Sequence, residues 1–138
     1  RLGSAIGVRE YVTRLEQCSI RYLSQHAIDA KTKPGCPGIY TADAKIGSIG
    51  IRVKDRTTKH GVAINLCLNL DLFRMILPCG SFIPMTSIER ISAVKLSTAS
   101  QAEIFAHSFS EIFCTTTVTI YSKDELLLRL MAHAEEAD

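Results

Sequence analysis

Apolar residues at Val8, Val12, Leu15, Cys18, Tyr22 and Leu23 recur at the spacing of one helix face. The pattern predicts an amphipathic helix over residues 8–25, ending in Ser24-Gln25-His26. A Pro/Gly-rich approach loop is expected over 32–38, a short strand from Ile39-Tyr40, and a turn over 41–44. Residues 45–54 read as a strand carried by Ile46, Ile49, Ile51 and Val53. Its alternation is not strict, and Gly47 and Gly50 point to a bulge or a close backbone approach. A polar hairpin loop over 55–59 then leads to a second strand, 61–69, rich in Val, Ile and Leu. So short a connection favours antiparallel pairing.

Residues 70–77 form a mixed segment that must enter a tight turn at Pro78-Cys79-Gly80. Ser100-Gln101-Ala102-Glu103 reads as a capping box opening a helix to about Phe113. Ser122-Lys123-Asp124-Glu125 reads as another, opening a helix through Leu126, Leu127, Leu130 and Met131; the β-branched stretch 115–121 between them suits a strand. No internal repeat or low-complexity segment interrupts the chain. The expected fold class is α/β (α+β), with a mixed, largely antiparallel sheet flanked by helices.

Composition narrows the picture. A chain of 138 residues is one domain at most, and a domain of that size buries roughly two-thirds of its unfolded surface. Hydrophobic residues make up 46% and charged residues 22%, the balance of an ordinary soluble globular protein. No apolar run approaches the ~20 residues that span a bilayer, and no charged-then-apolar signal peptide is expected from its opening residues. Because it begins at Arg1 and not at methionine, the chain is expected to be part of something longer.

The net charge of +2 is too small to argue for nucleic acid. Basic residues do cluster at Arg52, Lys54, Arg56, Lys59 and His60, with only Asp55 opposing. A solvated loop and a docking surface for an acidic partner are both open readings, and such charges steer encounter more than they add affinity. No aromatic residue interleaves the cluster, so a base-stacking surface is not expected. Five cysteines, at 18, 36, 67, 79 and 114, form an odd set with no C-x-x-C pair. That argues against a disulfide framework or a zinc site and for a reducing compartment. There, one thiol can be reactive while the others pack as small hydrophobes.

Cys79 is the candidate for that reactive thiol. A lone cysteine is more often inert packing, but Pro78 fixes the entry angle, and Gly80 allows a sharp turn with an accessible backbone N–H, a possible oxyanion donor. A thiol attacks only as thiolate and needs a cation or a base beside it. Lys45 is the candidate cation. Alone on a strand it would face solvent, yet Ile46, Gly47, Ser48, Ile49 and Gly50 are poor company for a solvated charge, and a partly buried lysine exchanges protons more readily. His60 is open between general base and orienting hydrogen-bond donor. His26, His107 and His133 are given no catalytic part, and Asn65 is expected to bond backbone.

Taken in order, Lys45-Ile46-Gly47-Ser48-Ile49-Gly50, His60-Gly61-Val62-Ala63-Ile64-Asn65 and Pro78-Cys79-Gly80 resemble the lipoyl(octanoyl) transferase family, of the lipoate–protein ligase B type. The flanking Thr32-Lys33-Pro34, Pro37-Gly38-Ile39-Tyr40 and Met85-Thr86-Ser87-Ile88 agree. The resemblance covers roughly residues 1–91, and 96–138 is a weakly matched helical tail. It implies a biotin/lipoate ligase-like fold of which this chain is the C-terminal portion, one catalytic-domain fragment over 1–138. The family's N-terminal Arg-Gly-Gly loop and His-Gly stretch are absent.

Under the resemblance, Cys79 matches the cysteine that holds the acyl thioester and Lys45 the lysine that lowers its pKa. Ser48, Ile49 and Gly50, with Gly61, Val62 and Ala63, match two substrate-contacting stretches. Side chains there would block an acyl chain or thioester laid along the strands; plain strand packing is the other reading. Gly47 stands where many members carry alanine or cysteine, a swap expected to be harmless and to widen the pocket slightly.

The activity implied is transfer of octanoyl from octanoyl-acyl carrier protein, through a thioester, to lipoyl domains of 2-oxoacid dehydrogenases and the glycine cleavage H protein. No cofactor, metal, nucleic acid or membrane is implied. The compartment would be the cytoplasm in a bacterium or the mitochondrion in a eukaryote. An ATP-using lipoate or biotin ligase is the competing enzyme, and an interaction domain without catalysis is the competing class.

Overall fold

The computed structural model describes residue 2, residues 6–75 and 83–114, and residues 119, 121, 124 and 125. Helix α1 spans Val8–Ser24, with Glu10 in its first turn and Arg21 in its last, as the helix dipole favours. Four strands follow: β1 Lys31–Lys33, β2 Cys36–Tyr40, β3 Lys45–Lys54 and β4 Thr57–Ile64. A 3-10 turn over Leu70–Met75, a short helix α2 at Ile88–Ser92 and helix α3 at Thr98–Phe113 complete the order. The strands form one antiparallel sheet in sequential order β1-β2-β3-β4. The fold is α+β.

Three expectations are corrected here. The approach loop over 32–38 is a hairpin: Lys33 pairs with Cys36, and Gly35 makes the turn at φ 75°. The hairpin loop over 55–59 shrinks to two residues, Asp55 and Arg56, at φ 48° and 60°. Two successive left-handed residues make the turn whose twist matches the flanking strands, so β4 starts at once at Thr57 and ends at Ile64, short of residue 69. The cap of α3 is Ser97, not Ser100. Ser97 is extended and its Oγ accepts from Ser100 N at 3.3 Å, so the helix starts a turn's width earlier than the capping box suggested. The expected turn at Pro78-Cys79-Gly80, the strand over 115–121 and the helix opened at Ser122 fall, wholly or in greater part, outside the described residues.

Helices α1 and α3 pack together on one face of the sheet. Tyr22, Leu23, Ile39, Ile46 and Ile88 are fully buried in one cluster, with Ile49, Ile64, Leu66 and Phe105 against it. Burial of each such side chain stabilises by about 1.5–3 kcal/mol. Polar ties fix the helix pair: Tyr22 Oη donates to Gln101 Oε1 at 2.7 Å, and Gln25 Nε2 donates to Ser108 Oγ at 3.0 Å. Burial also pushes the Tyr22 phenol up to about 12. Among the described residues, no helix is long and apolar enough to cross a membrane.

Candidate functional site

The register of β3 against β4 sets Ser48 opposite Ala63, Ile49 opposite Val62, and Gly50 opposite Gly61. Directly opposed residues share a face of the sheet. Ile49 packs into the core beneath the helices, so Ser48, Gly50, Gly61 and Ala63 lie on the other face. Nothing lies within 4 Å of where a side chain would begin at Gly50 or at Gly61. A cavity of about 510 Å³, open to solvent, is lined by Ser48, Gly50, His60, Gly61, Val62 and Ala63. That volume is within the range of small-molecule sites. The two stretches singled out in the sequence therefore meet as partners on adjacent strands.

Lys45 opens β3 and is only 4% exposed. A register shift pairs Tyr40 with Lys45 while the preceding Ile39 pairs with Gly47. Because Ile39 and Tyr40 point to opposite faces, the shift turns Lys45 away from the core, onto the face that carries Ser48. Its Nζ donates to Pro37 O at 3.4 Å and sits 5.5 Å from the centre of the Tyr40 ring. Lys33 Nζ lies 4.7 Å from the same ring. An aromatic face offers a buried ammonium partial compensation for lost water.

The backbone of Lys45 is held from its other side. Its N–H donates to Pro84 O at 2.8 Å, and its carbonyl accepts from Thr86 N at 2.9 Å, a parallel bridge centred on Met85. Asn65, just past the end of β4, donates from Nδ2 to Thr86 O at 2.9 Å, so it does bond backbone as expected. The segment that follows the Pro78-Cys79-Gly80 motif is thus laid beside the lysine. Cys79, Pro78 and Gly80 themselves lie outside the described residues.

Gly47 does not behave as expected. A Cβ there would meet Ile64 Cδ1 at 2.8 Å, Ala63 O at 3.2 Å and Ile39 Cγ1 at 3.2 Å, all on the core side. The glycine makes room for Ile64 under the helices; it does not widen the cavity. His60 is also not at a loop end. It sits within β4 opposite Ile51, exposed, at φ 64° on the cavity's rim.

Two contributors went unnoticed in the sequence. Gly38, at φ 145°, gives its α-carbon face to Lys45: a Cβ there would stand 2.6 Å from the lysine Cε. Tyr40, 1% exposed, supplies the ring. The only sequence signal for either was their place in the Pro37-Gly38-Ile39-Tyr40 run. Cys18 is fully buried, and burial pushes its thiol up to about 11, which suits a packing role. Cys67 and Cys114 are exposed, and Cys36 is half-buried. Among the described residues, no group of three His, Cys, Asp or Glu side chains is placed to hold a metal ion.

An open antiparallel sheet, with helices on one face and a solvent-open cavity over its small residues, defines an α+β domain. Residues 2–110 match the lipoyl protein ligase A/B catalytic domain, and the chain belongs to that family. It is similar to the octanoyltransferase of Pseudomonas fluorescens (strain Pf0-1), 38% identical over 112 residues, which are 78% of this chain and 51% of that protein. It is also similar to the octanoyltransferases of Stutzerimonas stutzeri (strain A1501) and Pseudomonas paraeruginosa (strain DSM 24068 / PA7). Each is 44% identical over 89 residues, 64% of this chain and 40% of the relative. The chain spans about half or less of the length of these relatives.

Proposed function

We propose that the protein transfers an octanoyl group from octanoyl-acyl carrier protein, through a thioester on Cys79, to a lysine of lipoyl domains. The acceptors are those of 2-oxoacid dehydrogenases and the glycine cleavage H protein. The observation that carries the reading is the buried Lys45 on the same sheet face as the small-residue floor of Ser48, Gly50, Gly61 and Ala63. The names of the relatives support it. So does the chain path: Cys79 is five positions from Pro84, whose carbonyl bonds Lys45, and five residues span at most about 18 Å.

The chemistry runs in two steps. Lys45 holds Cys79 as thiolate, which attacks the carbonyl carbon of the donor thioester. The new carbon–sulfur bond forms as the donor's breaks, and the departing thiolate takes the proton Lys45 had accepted. The acceptor lysine, as neutral amine, then attacks the Cys79 thioester. A carbon–nitrogen bond forms, the carbon–sulfur bond breaks, and the amine's proton passes by way of Lys45 to the cysteine sulfur. The backbone N–H of Gly80 stabilises the oxyanion of each tetrahedral species, and His60 orients the substrate at the rim. Thioester aminolysis is downhill, so no ATP is consumed.

The test uses the protein in its full length. Incubation with octanoyl-acyl carrier protein alone is expected to leave a hydroxylamine-labile octanoyl group on Cys79, seen by intact mass and peptide mapping. Cys79→Ser is expected to lose the adduct, and Lys45→Arg to impair transfer, because arginine keeps the charge but does not yield a proton. An adduct on another cysteine, or full activity of Cys79→Ser, overturns the mechanism. The family also takes in ligases, and transfer that requires free acid and ATP would establish that reading instead.

A further inference from the structure

The register that builds the cavity floor does not stop there. Past Gly50 opposite Gly61, β3 and β4 go on to set Arg52 opposite Lys59 and Lys54 opposite Thr57, on the same face of the sheet. All three cations are exposed. Among the described residues, none of the three lies within ion-pair distance of a carboxylate. Like charges directly opposed across an antiparallel pair are destabilising. The hairpin carries that repulsion at the end of an open floor of small residues, an arrangement complementary to an anion from outside the chain.

We propose that this cationic end, Arg52, Lys54 and Lys59, is the docking surface for the acidic protein that delivers the acyl group, with its phosphopantetheine arm lying along the Gly50–Gly61 floor toward Lys45. The assignment rests on the acyl-transfer reading above. Length selects the donor over the acceptor. Seven positions of strand separate Lys45 from Arg52, roughly 23 Å. An acceptor lysine, with a four-carbon stem, falls far short of that span from a partner docked at the hairpin. A phosphopantetheine arm is of comparable length, and its phosphate would leave the carrier beside the opposed pair Arg52 and Lys59, where arginine suits a phosphate. Charge complementarity of this kind acts chiefly on encounter rate and partner choice.

The test is direct binding of fluorescently labelled holo-acyl carrier protein, arm present and acyl group absent, to the full-length protein. Anisotropy is read at about 50 and 300 mM salt, either side of the screening expected at physiological ionic strength. Wild-type affinity is expected to fall several-fold across that range. Arg52→Glu is expected to weaken binding about tenfold at low salt and to flatten its salt dependence. The same substitution faces a carboxylate to Lys59 and is expected to raise the melting temperature, which a merely structural role for Arg52 would lower. Lys54→Glu, opposite Thr57, is a second variant with the same expected loss of binding.

An Arg52→Glu or Lys54→Glu protein that binds the carrier as the wild type does, or a wild type that does not bind it, overturns the proposal. A loss confined to an isolated lipoyl domain, with carrier binding intact, also overturns it by making the acceptor the occupant. Because no acyl group is present, the binding result stands whether or not octanoyl transfer is found.

Discussion

The side chain of Lys45 lies across the α-carbon of Gly38, so close that a methyl group on Gly38 would sit 2.6 Å from the lysine Cε and 2.9 Å from Gly47 O. Gly38 also holds φ 145°, a backbone conformation that side-chain-bearing residues rarely adopt. The seat of the lysine is therefore cut into the adjacent strand. Gly38→Ala is expected to destabilise the fold by about 1–3 kcal/mol and to expel the ammonium from its place beside Tyr40. In the full-length protein, octanoyl transfer by Gly38→Ala should fall toward that of Lys45→Met. Urea unfolding and a transfer assay on the same preparations check it; unimpaired transfer would mean that the lysine's place is immaterial.

Gly47 presents the opposite case, a glycine that serves packing. Its missing Cβ is occupied by Ile64 Cδ1, the far end of a flexible side chain, and by Ala63 O, which is backbone. Gly47→Ala is expected to cost about 1–3 kcal/mol through overpacking. Shortening the obstacle with Ile64→Val should recover part of that loss, so the double variant should be more stable than the sum of the two singles. Denaturant unfolding of the four proteins gives the coupling directly.

Thiol reactivity separates the cysteines. Cys18 is fully buried with its thiol pushed up to about 11, so near pH 8 it holds almost no thiolate. Timed iodoacetamide labelling of the native full-length protein, read by peptide mapping, is expected to modify Cys79 first, Cys67 and Cys114 more slowly, and Cys18 only after unfolding. Early modification of Cys18 would show that the α1 face opens readily.

The α1–α3 contact carries a small acid-sensitive element. The Arg21 guanidinium, hydrogen-bonded to Glu111, holds that carboxyl below the usual carboxylate range. A carboxylate depressed in the folded state contributes stability above its unfolded pKa, and the contribution is lost as pH falls through the lower folded value. Both side chains are exposed, so the effect is small. Glu111→Gln should melt slightly below wild type at pH 7 and converge with it in acid. Glu16 acts in the opposite sense: burial raises its carboxyl, so its penalty grows as pH rises through the unfolded value, and it does not account for a loss in acid.

The long elements were legible because their signals were dense. The helical spacing from Val8 to Leu23 returned α1 to within a residue, and β3 returned with both its ends. The failures came where strands are exposed on both faces. Lys31-Thr32-Lys33 and Thr57-Thr58-Lys59-His60 carry polar side chains because they lie at an edge or a hairpin tip, so period-two alternation never develops and polarity reads as loop. At the candidate site, the pairing of Ser48-Ile49-Gly50 with Gly61-Val62-Ala63 follows from a hairpin, and hairpins are local. The Gly38 seat depends on a register shift, and the bond from Asn65 to Thr86 depends on a chain return of 21 residues. Neither leaves a mark on composition or spacing.

The two walls around Lys45 differ in how far apart in sequence their partners lie. From Lys54–Thr57 at the turn to Gly47–Ile64 at the far end, every β3–β4 pair joins residues 3 to 17 positions apart, and the two-residue turn starts the zipper. Hairpins of this kind form in about 1–10 μs. The bridge to Met85 spans 40 positions, and its closure entropy must be met before any contact there repays it. The floor that would take the substrate thus belongs to the earliest, most local contacts of the chain. The seat of Lys45 is finished only by the arm carrying Met85 and Thr86, a contact that the local hairpin cannot supply.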